Sequence, residues 1–195
     1  MLTHRYDDAL GLAARLHRSQ VRKGSGVPYL SHLLSVSALV IEHHGDEDQA
    51  IAGLLHDAVE DQGGQPTADM IRTTFGDRVA DIVLACTDAV EQDLVPWEER
   101  KTGYIASLAD KGEDALLVTS CDKLHNATSI LVDLSTMGLA VFDRFTANRD
   151  STLWYYRALA DELQRVRPSP LSDRLAAVVT RMEQAARADP TALHD

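Results

Sequence analysis

Apolar residues recur at helical spacing along nearly the whole chain, and strict strand-like alternation is almost absent. HRYDDALGLAARLHRS predicts a first helix. Pro28 and Ser31 open a second through SHLLSVSALVIEHH, which Gly45 closes. Asp46 caps a third, DEDQAIAGLLHDAVED, ending before the loop QGGQP. Thr67 and Asp77 are the expected caps of the next two helices, and Pro96 suits the first turn of WEERKTGYIASLAD. A long helix runs through EDALLVTSCDKLHNATSILVDL, and STLWYYRALADELQRV and SPLSDRLAAVVTRMEQAARA finish the chain. The pattern predicts an all-α fold, a single helical bundle with short connections.

Composition narrows what such a bundle can do. The 195 residues are 45% hydrophobic and 25% charged, ordinary for a globular domain. No apolar run approaches the roughly 20 residues that span a bilayer, so no membrane role is expected. The N-terminus MLTHRYDDAL is too polar for a secretory signal. Cys86 and Cys121 sit in apolar segments and read as reduced core thiols, which makes the expected location cytoplasmic. The net charge of -11 argues against a nucleic-acid partner, which needs a broad basic surface. A small anionic ligand remains compatible, because a few focused cations can hold it.

The third helix carries the sharpest chemical signal. At roughly 100° per residue, Ile51, Ala52, Leu54, Leu55, Ala58 and Val59 cover one side. His56, Asp57, Glu60 and Asp61 fall on the other, within an arc of about 140°. A solvated polar face is the plain interpretation, but this one holds three carboxylates and an imidazole with no Lys or Arg. A divalent metal would offset that charge. In ALLVTSCDKLHNA, Asp122 interrupts an apolar stretch, with Asn126 four residues on. A carboxylate there is costly unless it is paired, metal-bound or turned to water. His32 follows the cationic, glycine-bearing loop RKGSGVPYLSH. Together, His32, His56, Asp57 and Asp122 form a mixed N/O set suited to Mn²⁺, Fe²⁺ or Zn²⁺. Glu60 and Asp61 stay outside it, free to handle protons.

In their order and spacing, RKGSGVPYLSH, GLLHDAVED and CDKLHN resemble the HD-domain metal-dependent phosphohydrolases, and within them the hydrolase domain of RelA/SpoT-type alarmone enzymes. TDAVEQDLVPWEERK further resembles the small stand-alone hydrolases that lack the synthetase half. The resemblance covers roughly residues 1–165 and implies a single HD-domain helical bundle, with residues 166–195 a C-terminal helix packing on it. It implies one metal ion, usually Mn²⁺, held by His32, His56, Asp57 and Asp122. Glu60 and Asp61 would orient and deprotonate the attacking water. Arg22 and Lys23 would meet the phosphates, Asn126 would lie at the nucleotide, and Arg100, Lys101 and Tyr155 would be further candidates for the pocket wall. Leu33, Gln62, Asp88 and Cys121 depart from residues common in the family, but none removes a ligand or a proton-handling group.

The chemistry fits the residues independently. Hydrolysis of a phosphate ester needs an activated water and a shield for developing charge, and a bound metal supplies both. Arg22, Lys23, Arg100 and Lys101 are the local antidote to the protein's acidity, and Gly24 and Gly26 allow the loop that carries the first pair to turn. The expected activity is removal of the 3′-pyrophosphate from (p)ppGpp, giving GDP or GTP. Two alternatives stand beside it: the same centre acting on another nucleotide such as NADPH, or a nucleotide-binding module without turnover. Other HD enzymes bind a second metal through further histidines, but only His125 and His194 follow the HD pair here. His43 and His44 suit a helix C-terminus electrostatically. A homodimer through the C-terminal helix is one oligomeric expectation.

Overall fold

The computed structural model describes residues 1–87 and 95–187. Asp88, most of the TDAVEQDL stretch and His194 lie outside these described residues. The helices are α1 (His4–Leu16), α2 (Leu30–Glu42), α3 (Glu47–Leu55), α4 (Ala58–Asp61), α5 (Gln65–Phe75), α6 (Asp77–Cys86), α7 (Trp97–Ser107), α8 (Glu113–Met137), α9 (Arg149–Val166) and α10 (Pro170–Arg187). Short 3-10 turns follow α7 and α8 at Leu108–Asp110 and Gly138–Arg144. Among the described residues there is no strand, only an isolated antiparallel bridge between Val21 and Pro28. The all-α expectation therefore holds.

In their described parts, Met1–Leu94 and Asp110–Asp122 form one compact unit, and Val95–Ala109 and Lys123–Asp195 a second. In the first, α3 packs against α1, α2 and α6. Every residue from Ala50 to Leu55 is buried, as befits a helix apolar on all sides. Its start is the one expected: the Asp46 carboxylate accepts from the Gln49 N–H, and Gln49 Oε1 accepts from the Asp46 N–H. Gly53 lets α3 lie against α2. A Cβ there would stand 3.1 Å from Ser37 Cα and 3.3 Å from Ser37 N. In the second unit, α9 packs against α7 and α10, with Leu159, Leu163, Leu171, Leu175 and Met182 fully buried.

Several element ends differ from expectation. The predicted helix over residues 46–61 breaks at His56–Asp57 into α3 and α4. The His56 Nδ1 takes the Gly53 carbonyl at 2.9 Å, the acceptor that the Asp57 N–H would use in an unbroken helix. Asp57 sits at φ -96°, ψ -1°, the bridge region where the ladder fails. Thr67 does not cap α5. That helix begins at Gln65 with Pro66 in its first turn, and the Thr67 hydroxyl donates to the Gln62 carbonyl. Asp77 is the first residue of α6 rather than its cap, and its carboxylate accepts from Arg72. α2 starts at Leu30, one residue ahead of Ser31. At its other end, His44 rather than Gly45 takes the left-handed conformation (φ 64°), and the Gly45 N–H bonds the Val40 carbonyl at 2.8 Å.

Candidate metal centre

The centre is assembled from α2, the α3–α4 break and α8. Packing of α2 on α3 brings the two imidazoles together, with the His32 and His56 rings 5.2 Å apart between centroids. Both are almost fully buried, at 1% and 3% exposure. The break after Leu55 turns His56 and Asp57 into the same space. His56 Nε2 lies 3.0 Å and His32 Nε2 3.5 Å from Asp57 Oδ2. α8 supplies Asp122, whose Oδ1 stands 3.2 Å from His32 Nε2 and 3.7 Å from His56 Nε2. Asp122 is buried, so the interrupted apolar stretch does aim a carboxylate at partners rather than at water.

These donors fit a metal ion. Atoms of His32, His56 and Asp57 lie within 4.8 Å of one another, a group that can hold one. The strongest indication is His56. Its Nδ1 faces the Gly53 carbonyl and acts as donor, which leaves the Nε2 lone pair for the centre. That Nε2 is buried and makes no hydrogen bond, since its approach to Asp57 has the distance but not the angle. An orphaned buried nitrogen is costly, and a ligated one is not.

Electrostatics point the same way. Burial alone would depress His56, but the Asp57 and Asp122 carboxylates outweigh it and hold the pKa well above its ordinary value. Burial works to raise Asp57, yet the charge on the adjacent His56 imidazole, with the His32 imidazole helping, keeps its carboxyl far below the usual range. Cations are what this cluster favours, whether protons or a metal. Asp61 behaves differently. Although the residue is exposed along one side, desolvation of its carboxyl, helped by the Asp57 charge, raises its pKa, while the Gln20 amide donating to Oδ2 pulls the other way. Glu60 lies on the exposed side of α4.

The loop ahead of His32 is built as a tight turn. The Val21–Pro28 bridge closes it, the Arg22 N–H donates to the Val27 carbonyl at 2.7 Å, and Gly24 and Gly26 take φ of 81° and 70°. Arg22 is half-buried with its guanidinium carbon 5.7 Å from the Tyr29 ring centre, and Lys23 is exposed. Arg100, Lys101, Asn126 and Tyr155 belong to the second unit. There the Lys101 ammonium stands 5.3 Å from the Tyr155 ring, and Tyr155 is mostly buried against Trp97 and Tyr156.

Two contributors were not read from the sequence. The Tyr29 hydroxyl donates to Asp57 Oδ2 at 2.6 Å. Gln20 donates to Asp61 Oδ2 at 2.7 Å. The available signal was Tyr29 three residues before His32, one helical turn away on the same side.

Residues 9–153 match the family described as the HD domain, and the chain belongs to that family. It is 30% identical over 154 residues to the GTP pyrophosphokinase rsh of Brucella melitensis biotype 1, an alignment that takes in 77% of this chain and 19% of the relative. The chain thus spans a small part of the long curated relatives it matches. It is 34% identical over 123 residues to the guanosine-3′,5′-bis(diphosphate) 3′-pyrophosphohydrolase MESH1 of Danio rerio, covering 61% of this chain and 65% of that one. The solved structure of a metazoan ortholog of SpoT that hydrolyzes ppGpp superposes with a TM-score of 0.75 at 26% identity, over 93% of this chain and 97% of the other. These relatives bear out the RelA/SpoT-type resemblance read from the three motifs.

Proposed function

We propose that the protein is a metal-dependent guanosine-3′,5′-bis(diphosphate) 3′-pyrophosphohydrolase that converts (p)ppGpp and water to GDP or GTP plus pyrophosphate. The observation that carries this is the convergence on one point of two buried imidazoles and the Asp57 and Asp122 carboxylates. The named activities of the Danio rerio relative and of the metazoan SpoT ortholog support the choice of substrate.

His32, His56, Asp57 and Asp122 would hold one divalent ion, with Mn²⁺ the favoured identity and Fe²⁺ or Zn²⁺ also suited to the donor set. When bound, such an ion supplies a Lewis acid and lowers the pKa of water. Tyr29 keeps the Asp57 carboxylate turned toward the imidazoles. Asp61, with its raised pKa, accepts the proton of the attacking water, and Glu60 helps orient that water. Arg22 and Lys23 meet the phosphates from the loop ahead of His32, Arg22 with the fork that suits paired oxygens. Asn126, Arg100, Lys101 and Tyr155 are the further substrate contacts to be probed by substitution. The balance is simple: the water oxygen joins phosphorus, the bond from phosphorus to the 3′ oxygen breaks, and that oxygen receives a proton.

Residues 1–165 would form the hydrolase domain, with the C-terminal helix packed on α9 as its buttress. A cytoplasmic location suits the two free cysteines, and no described helix is long and apolar enough to cross a membrane. The test is to supply Mn²⁺ and ppGpp and to separate the products. GDP and pyrophosphate in equal amounts support the assignment, together with their loss in Asp57→Ala. Release of single phosphates, or an Asp57→Ala variant that behaves as the parent does, would refute it.

A further inference from the structure

Gln20 stands in the turn after α1, half-buried, and its amide is committed at both ends. Oε1 lies 2.7 Å from His17 Nδ1 and accepts from Gln62 Nε2 at 2.7 Å. Nε2 donates to Asp61 Oδ2 at 2.7 Å. Chemistry fixes this orientation. An ionised carboxylate only accepts, so the flipped amide would set oxygen against oxygen at Asp61 and nitrogen against nitrogen at Gln62. His17 is itself anchored: it is buried, and its ring stacks on Tyr29 at 5.4 Å and 18°. Tyr29 in turn holds Asp57. One buried imidazole therefore backs two arms, with Tyr29 reaching a candidate metal ligand and Gln20 reaching the acidic residue beside it.

Asp61 has little else to hold it. It ends a four-residue helix, and its side chain is exposed along one side. An Asp in such a place samples several rotamers unless a fixed donor selects one. We propose that Gln20, clamped by His17 and Gln62, is a positioning residue that aims the Asp61 carboxylate. This rests on Asp61 as the proton acceptor of the proposed reaction. It gives Gln62, which the motif resemblance left without a task, a definite one: a second donor that stops the Gln20 amide from turning.

The test pairs Gln20→Met, which keeps length but removes the donor, with Asp61→Asn and the double variant. Gln20→Met should lower kcat by about tenfold to a hundredfold, with KM within about twofold. Its Mn²⁺ content should match the parent's. In the Asp61→Asn background, Gln20→Met should change kcat by less than about twofold, because the two act as one unit. A crystal structure of Gln20→Met should show the Asp61 carboxylate turned away or in several rotamers. An unchanged kcat, or losses that multiply in the double variant, would overturn the inference. Should Gln20→Met fail to fold, Gln20→Glu keeps the shape and sets a charge against Asp61, and it should lose at least as much rate. If the unaltered protein does not hydrolyse ppGpp, the proposed function falls by itself. The Gln20→Met crystal structure then decides the positioning role, which an unmoved Asp61 carboxylate refutes.

Discussion

The Tyr29 hydroxyl and the Asp57 carboxylate are joined by a 2.6 Å hydrogen bond from the loop preceding α2 to the break between α3 and α4. The oxygen it reaches, Oδ2, is the one that both imidazoles approach. Burial, the nearby Asp57 charge and this bond all hold the Tyr29 phenol protonated far above its ordinary range, so it acts as a donor at any working pH. Tyr29→Phe keeps the ring stack on His17 and removes only the donor. Metal affinity should fall by about tenfold to a hundredfold, the usual effect of losing a hydrogen bond to a ligand. Competition titration with a chelator measures it, and affinity within twofold of the parent would show that Asp57 needs no such support.

Metal uptake should strengthen as pH rises. His56 is held well above its ordinary value of 6.5 when no metal is bound, so a metal must displace its proton. The raised pKa stabilises the metal-free fold fully below 6.5, and that contribution is lost as pH climbs through the higher folded value. The gain in melting temperature on adding Mn²⁺ should therefore grow from mildly acidic to mildly alkaline pH. A gain independent of pH would mean that His56 does not exchange its proton for the ion.

Gly53 is the point where α3 touches the backbone of α2. Gly53→Val would push the helices apart and cost about 1–3 kcal/mol, the typical penalty of overpacking. The same displacement separates His32 from His56, so metal content should fall with stability. Denaturant unfolding and metal analysis of one preparation test both. Full metal content at reduced stability would show that the centre tolerates a shifted α2.

Asp46 offers the opposite case. Asp46→Ala removes the cap of α3 and its hydrogen bond to Arg78, at a cost of about 1 kcal/mol in unfolding free energy. Turnover per metal-loaded molecule should be unchanged. A parallel loss of turnover would mean that the start of α3 adjusts the imidazole at its other end.

The helices were legible from spacing, and the four converging side chains from three motifs whose order resembles the HD-domain family. Periodicity marks a buried face, and Asp122 stood out as a carboxylate interrupting an apolar stretch, where it must be paired, metal-bound or turned to water. The break at His56–Asp57 was not legible. It arises when an imidazole competes with a backbone N–H for the Gly53 carbonyl, which leaves the hydrophobic pattern untouched. Thr67 has the chemistry of a cap but lies inside a turn that Pro66 had already started. Tyr29 and Gln20 escaped for another reason. In a polar loop, residues that reach into a site look the same as residues that face water until the chain is folded.

Whether His32, His56, Asp57 and Asp122 share one ion can be seen in anomalous diffraction from crystals grown with Mn²⁺. One strong peak per chain is expected, about 2 Å from His32 Nε2, His56 Nε2 and an oxygen of each aspartate. A peak elsewhere, or one that Asp122 does not touch, would contradict it.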